Sequence, residues 1–236
     1  MFQVTTSTAS VAVIMAATVV LWLPPAVPKA QTQSPGLAQD SGPPERLALA
    51  LQARYQSIRD FSANFVHTYR GGFLRTETTE QGTVVVKKPG LMRWVYTAPE
   101  RKEFVSDGAR MYAYLPEDRQ VMVTTLPPDD QATTPAAFLA GRGDIVRDFS
   151  AVFDETAVGG TALRLTPYRP EPEYEYLVLA LDPISLQILG LTTRDRQGGE
   201  STISFTDLKE NQGVADKEFV FRIPTGVDII TDGIAN

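Results

Sequence analysis

The single histidine of the chain, His67, is the first residue to consider for chemistry, because histidine is the commonest general acid and base. It lies between Phe65 and Tyr69 at alternate positions of a predicted strand, a setting typical of a packed or surface histidine. The sequence contains neither a GxSxG nucleophile elbow nor an HExxH zinc motif. We therefore interpret His67 as a structural residue.

Two carboxylate pairs, Asp129-Asp130 and Asp154-Glu155, lie in turn-like sequence, where a glycosidase pair cannot be inferred from spacing alone. The tripeptide Arg142-Gly143-Asp144 spells an adhesion motif, and we interpret it as the end of a helix. Cysteine is absent, which excludes disulfides, a thiol nucleophile and thiolate metal sites. We predict a protein that is not an enzyme and that uses neither a cofactor nor a metal.

The composition is that of a globular protein with no affinity for polyanions. Of the 236 residues, 43% are hydrophobic and 21% are charged, and the net charge is −6. Nucleic acids and anionic lipid surfaces attract basic patches, so the acidic balance argues against both as partners. The length that remains after the N-terminal segments suits one domain.

The N-terminal region predicts export. The apolar run Val11–Leu23 is too short to span a bilayer comfortably and suits the core of a signal peptide. We assign residues 1–30 to this signal, with cleavage after Ala30 or Ala38, and an uncleaved membrane anchor remains the alternative. Residues 31–44 are rich in proline and form a predicted flexible linker, and residues 45–236 form the domain.

Two helices are predicted in this domain. The first begins at Pro43 or Pro44, and Leu47, Leu51 and Ile58 lie on one of its faces at helical spacing. The second is short and covers residues 133–144, with Thr134 as a candidate N-cap and Gly141 as a stop signal.

The rest of the domain reads as β-strands. Residues 83–125 alternate short apolar runs with turn signals such as Asp107-Gly108, a rhythm typical of consecutive hairpins. Further strands follow after the second helix, and residues 219–224 are predicted to close the series. So many antiparallel strands must curl into a barrel or fold as a sandwich. Because several strands are apolar on both faces, two interpretations stay open: a half-barrel with a lined cavity, or an ordinary packed core.

Four blocks of the sequence, in this order, resemble the LolA family of periplasmic carriers of outer-membrane lipoproteins. They are VVVKKPGLMRWVYTAP with FVSDGARMYAYLPEDRQV, then TPAAFLAGRGDIVRDF, then the long C-terminal block that starts at LDPISLQILGLTTRD. The resemblance extends over residues 47–230. It implies an open, unclosed antiparallel β-barrel of about eleven strands, with a short α-helical lid over an apolar cavity that receives acyl chains.

The resemblance also implies where the ligand lies. Flexible and flat side chains adapt to acyl chains of variable shape, and seven residues are predicted to line the cavity: Leu91, Met92, Trp94, Tyr96, Met111, Tyr112 and Met122. The lid residues are predicted to be Leu47, Leu51, Ile58, Phe138 and Leu139. Lys88 takes a position that is commonly arginine in the family, where the side chain resembles a latch to lid carbonyls, and a solvated turn lysine is the alternative.

The implied partners are the acyl chains of lipoproteins, an inner-membrane ABC-type lipoprotein-releasing complex and, where one exists, an outer-membrane receptor. The implied protein is a periplasmic monomer. A ligand-sensing or interaction module on a related half-barrel remains the alternative function. The tail after Val227 is shorter than in members with an added C-terminal loop and strand, so a function of such an extension is not carried over to this chain.

Overall fold

A computed structural model of the chain describes residues 43–71, 76–126, 135–155 and 161–231. The predicted signal peptide and nearly all of the predicted linker, together with Thr134 and Asp129-Asp130, lie outside these residues. Among the described residues no helix is long and apolar enough to span a membrane. The same residues include no cluster of histidine and acidic side chains that could hold a metal ion.

The helices are few and short. Helix α1 spans Pro43–Ser57, so the predicted start is confirmed, with Glu45 in its first turn where the helix dipole favours a negative charge. Within the second predicted helix, residues 133–144, α2 spans only Pro135–Leu139, and a further helix that was not predicted, α3, spans Ile145–Asp148. The break falls at Gly141, whose φ of 75° ends α2, and the Asp144 side chain then caps α3.

Twelve strands are present in the described residues, and they form one unclosed sheet with β12 and β7 at its edges. Their bounds are β1 Asp60–Arg70, β2 Glu77–Lys87, β3 Leu91–Ala98, β4 Lys102–Asp107, β5 Arg110–Leu115, β6 Gln120–Thr125, β7 Phe149–Phe153, β8 Thr161–Pro167, β9 Tyr176–Leu181, β10 Ile188–Arg194, β11 Glu200–Glu210 and β12 Asp228–Thr231. Their order across the sheet is β12-β6-β5-β4-β3-β2-β1-β11-β10-β9-β8-β7. Neighbours are antiparallel except β12 and β6, which are parallel.

The C-terminal strand differs from the prediction. The predicted strand at residues 219–224 is wrong: a 3₁₀ turn spans Asp216–Phe219, and the chain is irregular from there to Val227. Phe219 is instead buried against the sheet, and Phe221 stacks on Tyr112 with ring centres 5.3 Å apart. The tail after Val227 supplies β12. Phe219 and Phe221 alternate in the sequence as strand residues do. Their side chains pack on the sheet, but their backbone does not pair with a strand.

Cross-strand register assigns each strand residue to one of two faces, because directly paired residues point the same way. We call the face of Met92, Trp94 and Tyr96 the inner face, since these residues join the core that α1 and α2 cover. The opposite side, which carries Leu91 and the fully buried Val105, is the outer face.

Candidate ligand-binding site

Five of the seven predicted wall residues lie on the inner face. Met92, Trp94 and Tyr96 are buried in the core. Ser106 of β4 pairs with Met92 on one side and with Met111 on the other, so Met111 lies on the same face, where it packs against the core. Met122 extends the row that runs from Trp94 through Phe104 and Ala113, and it is 38% exposed. The inner face therefore grades from a buried aromatic centre to an exposed methionine near the β12 edge.

The other two, Leu91 and Tyr112, lie on the outer face. Leu91 pairs with Asp107, and Tyr112 pairs with Val105 and stacks on Phe221. Strict alternation along β3 and β5 already separates them from their neighbours, because successive strand residues point to opposite faces. They cannot line the same space as Met92 and Trp94 while the sheet is intact.

Aromatic residues that the sequence analysis did not single out form the centre of the inner face. The Phe65 ring packs edge-on against Trp94 at 5.0 Å and Tyr96 at 4.8 Å, and Phe205 lies 6.3 Å from Trp94. Phe65 lies two residues before His67 in β1, and the period-two pattern of this strand marks Phe65 as a residue of the inner face. These rings make the middle of the sheet the most apolar part of the site.

The predicted lid residues all pack on this inner face. Leu51 of α1 is fully buried, Ile58 follows the helix and is buried too, and Leu47 is half-buried against the core. Phe138 and Leu139 of α2 are both buried in the same cluster. We use the name lid for α1 and α2 together.

The apolar space under the lid is closed. A cavity of only about 10 Å³ lies between the lid and the sheet, lined mainly by Tyr55, Ile58, Phe61, Leu139, Ile188 and Phe205. Even one water molecule needs roughly 10–15 Å³ of such volume. Buried side chains of the core cluster occupy the surrounding space between the lid and the sheet, where the resemblance implies a cavity.

Lys88 connects the sheet to the lid. Its ammonium donates a hydrogen bond to the Tyr55 carbonyl oxygen in the last turn of α1, and it lies 3.2 Å from the centre of the Tyr55 ring. Burial lowers the pKa of Lys88 to about 8, while the charge of Glu210, the carbonyl oxygen and the ring all favour the protonated amine. Lys88 thus bonds the β2–β3 turn to α1, the contact expected of the predicted latch, although it lacks the bidentate fork of arginine.

Tyr55 joins the two parts of the lid to each other. Its hydroxyl donates to the Leu139 carbonyl oxygen at 2.7 Å, and its ring stacks on Phe138 at 4.8 Å. Burial, helped by the negative charge of Glu210, raises the pKa of Tyr55 far above its usual value, so the hydroxyl stays a donor. No sequence pattern marked Tyr55, beyond its place beside the apolar stripe of α1.

Three further polar contacts hold the lid. The Gly90 amide donates to the Ala140 carbonyl oxygen at 2.9 Å, and Arg54 forms an ion pair with Glu210 of β11 at 2.9 Å. The Ile145 amide of α3 donates to the Gln52 side chain at 2.9 Å. Each of these contacts stabilises the closed lid by about 1 kcal/mol. Together they add a modest free energy to that of the apolar packing.

His67 is engaged in a polar cluster on the inner face. Its Nδ1 lies 3.3 Å from Glu80, its Nε2 lies 2.8 Å from the Ser201 hydroxyl, and Lys102 pairs with Glu80 at 2.6 Å. Burial lowers the pKa of His67, and the Glu80 carboxylate opposes that drop. These contacts join β1, β2, β4 and β11 across the inner face.

The remaining sequence motifs have structural roles as well. Asp154 is buried and its carboxylate lies 3.3 Å from Arg164. Asp144 of the Arg142-Gly143-Asp144 tripeptide accepts hydrogen bonds from the Val146 and Arg147 amides, both at 2.9 Å. These carboxylates stabilise a turn and a helix end rather than a reaction site.

The fold and this sealed apolar interior define a class: unclosed β-sheets with a helical lid over an apolar inner face. The profile of the family described as "Outer membrane lipoprotein carrier protein LolA" matches residues 56–222. The chain belongs to this family.

Individual relatives agree with that assignment. The chain is 34% identical over 195 residues to an outer-membrane lipoprotein carrier protein of Chromohalobacter salexigens, covering 82% of this chain and 89% of the relative. It is 30% identical over 187 residues to one of Hahella chejuensis, covering 78% and 87%. Among solved structures it is similar to a LolA superfamily protein of Nitrosomonas europaea, with 16% identity, a TM-score of 0.41 and coverage of 74% and 97%.

Proposed function

We propose that this protein is a periplasmic carrier that binds the acyl chains of lipoproteins and delivers them to the outer membrane. The observation that carries the proposal is a wide apolar face, centred on Phe65, Trp94 and Tyr96, which is covered by the apolar side chains of α1 and α2. Membership of the LolA family and the names of the relatives supply the cargo class. No catalytic group is needed for this activity.

The energetics suit reversible binding. An acyl chain is stabilised by about 0.8 kcal/mol for each CH₂ removed from water, so even part of one chain offsets the cost of parting the lid from the sheet. The lid residues that separate from the inner face lose the same kind of contact that the acyl chain gains. The open and closed states therefore differ by little, and a receptor with modestly higher affinity can draw the cargo away.

We propose an inner-membrane ABC-type lipoprotein-releasing complex as the donor and an outer-membrane receptor, where one exists, as the acceptor. The carrier acts as a monomer. The cavity wall is formed by Met92, Trp94, Tyr96, Met111 and Met122, whereas Leu91 and Tyr112 face away from it. Thioether and aromatic side chains let this wall accept acyl chains of different length.

The test is transfer of a fluorescent triacylated lipoprotein from inner-membrane vesicles to the purified protein and then to outer-membrane vesicles. We expect the protein to remove the lipoprotein from the first vesicles in a soluble one-to-one complex and to release it to the second. A protein that leaves the lipoprotein in the donor vesicles, even when they contain an energised releasing complex, would contradict the proposal.

A further inference from the structure

A second cleft at the lid lies outside the apolar interior. It has a volume of about 460 Å³, and we call it the lid cleft; it is lined by Gln52, Tyr55, Gln56, Ile58, Arg59, Lys88, Pro89, Gly141, Arg142, Gly143, Asp144 and Arg147. It is therefore bounded by the end of α1, the β2–β3 turn and the segment between α2 and α3. It shares Tyr55, Ile58 and Lys88 with the lid contacts described above, and the carrier activity gives no role to its remaining polar residues.

The cleft is basic in a chain that is acidic overall. Four of its lining residues are cationic and one is acidic, whereas the whole chain has a net charge of −6. The one carboxylate, Asp144, is engaged by the amides of α3, and Arg147 is paired with Asp148 at 2.7 Å. Within the part of the chain that the structure describes, neither Arg59 nor Lys88 forms an ion pair with a carboxylate. The cleft thus presents positive charge that an anion could neutralise.

We propose that the lid cleft binds the carboxylates of an acidic, protruding segment of a partner protein, and that this binding releases the lid. The inference rests on the carrier function proposed above and names the chemistry of a partner at the same lid. A protruding peptide fits better than a membrane, because the headgroups of a flat bilayer do not reach into a concave cleft. Arginine and lysine on facing walls can engage carboxylates of one peptide, with Arg59 supplying bidentate geometry.

A chain of contacts links the cleft to the lid. A carboxylate in the cleft competes with the Tyr55 carbonyl oxygen for the Lys88 ammonium, and a full negative charge is the stronger acceptor. When Lys88 turns to the carboxylate, Tyr55 loses both a hydrogen bond and the cation over its ring. Tyr55 is also the residue that holds Phe138 and the Leu139 carbonyl, so loosening it loosens α2. Because coupling is reciprocal, an open, acyl-filled lid binds the acidic segment more tightly.

The experiment uses an octaglutamate peptide as the probe. Calorimetry measures its binding to the full chain, and stopped-flow fluorescence measures uptake of a fluorescent palmitoylated peptide with and without it. The variant is Arg59→Glu, and the matched control is Arg101→Glu, an exposed arginine in the β3–β4 turn with the same charge change. We expect octaglutamate to bind and to speed acyl uptake at least about fivefold in the unaltered protein and in Arg101→Glu, and to do neither in Arg59→Glu.

Three outcomes would overturn the inference: no binding of octaglutamate, equal responses of the two variants, or the same acceleration by an equal charge of inorganic phosphate. Flotation with phosphatidylglycerol vesicles that depends on Arg59 would assign the cleft to a membrane instead and would also overturn it. Acyl uptake in the absence of any peptide reports on the carrier function alone. Its failure, with octaglutamate still bound in the calorimeter, would reject the carrier function and leave the anion site standing.

Discussion

Strands β3 to β6 carry an apolar cluster on each face, and the two clusters are covered in different ways. The inner cluster, around Trp94, lies under α1 and α2. The outer cluster lies under the irregular C-terminal segment and consists of Val105, Tyr112, Tyr114, Val121, Phe219 and Phe221. The same strands thus carry one surface covered by helices and one covered by an irregular segment whose end pairs with the sheet.

Two consecutive lysines show the difference. Lys87 reaches the outer side, where it donates to the Val214 carbonyl oxygen at 2.9 Å and pairs with Asp216 at 2.5 Å. Lys88 reaches the inner side and bonds to Tyr55. The C-terminal segment is additionally fixed at its end by pairing of β12 with β6, whereas the lid has no strand in the sheet. Sheet pairing makes a permanent cover, and side-chain contacts make a movable one.

The largest effect is expected from Phe219→Ala in the outer cluster. Phe219 is almost fully buried, so its removal leaves a cavity and costs about 3–5 kcal/mol in the free energy of unfolding. Urea denaturation measures the loss, and acyl affinity of the molecules that remain folded should not change. A variant with ordinary stability and weakened acyl binding would assign the ligand to the wrong face.

The next effect compares two methionines of the inner face, Met92 at 3% exposure and Met122 at 38%. Met92→Glu buries a carboxylate without a partner when the lid is closed and also when acyl chains fill the interior. Both of these states are therefore destabilised relative to the open, empty form. We expect acyl affinity to fall at least about tenfold, or 1.4 kcal/mol, and a hydrophobic dye to bind.

Met122→Glu is the matched control, because the new carboxylate can reach water there. Its stability should stay within about 0.5 kcal/mol of the original value. Circular dichroism melting and binding of an acylated peptide are measured together for both variants. Equal effects of the two substitutions would show that burial on the inner face does not decide ligand binding.

A smaller effect is expected at the lysine pair. Lys88→Ala removes a charged hydrogen bond of about 1.5 kcal/mol from the closed lid and should speed acyl uptake and transfer roughly tenfold, whereas Lys88→Arg should slow both. Lys87→Ala, the control, should lower stability slightly and leave the transfer rate unchanged. If all three variants transfer a labelled lipoprotein at one rate, Lys88 is no more than a turn residue.

The sequence predicted the parts of this architecture that depend on local pattern. Period-two alternation located nearly all of the strands, and the start of α1 followed from Pro43 and Pro44. The pattern failed where long-range packing decides: Phe219 and Phe221 look like strand residues, yet they are held by rings and side chains of β3 to β5. The contacts by which Tyr55 joins α1 to α2 and to the sheet could not be predicted either. Its partners, Lys88 and Leu139, are far from it along the chain.

If acyl chains enter as proposed, only when the lid leaves the inner face, a reversible disulfide between the lid and the sheet will block their uptake. A Cβ added at Gly141 would lie 3.3 Å from the Lys88 Cβ, close to the roughly 3.8 Å of a disulfide, and the chain has no cysteine to compete. The single variant Lys88→Cys serves as the control for the oxidant, and because Gly141 has a φ of 75° the melting temperature of the double variant, with Gly141→Cys added, is measured beside its uptake. In the double variant we predict no uptake of a palmitoylated peptide when oxidised and full uptake after reduction. Equal uptake in the two states, with the disulfide verified by mass spectrometry, would contradict the account.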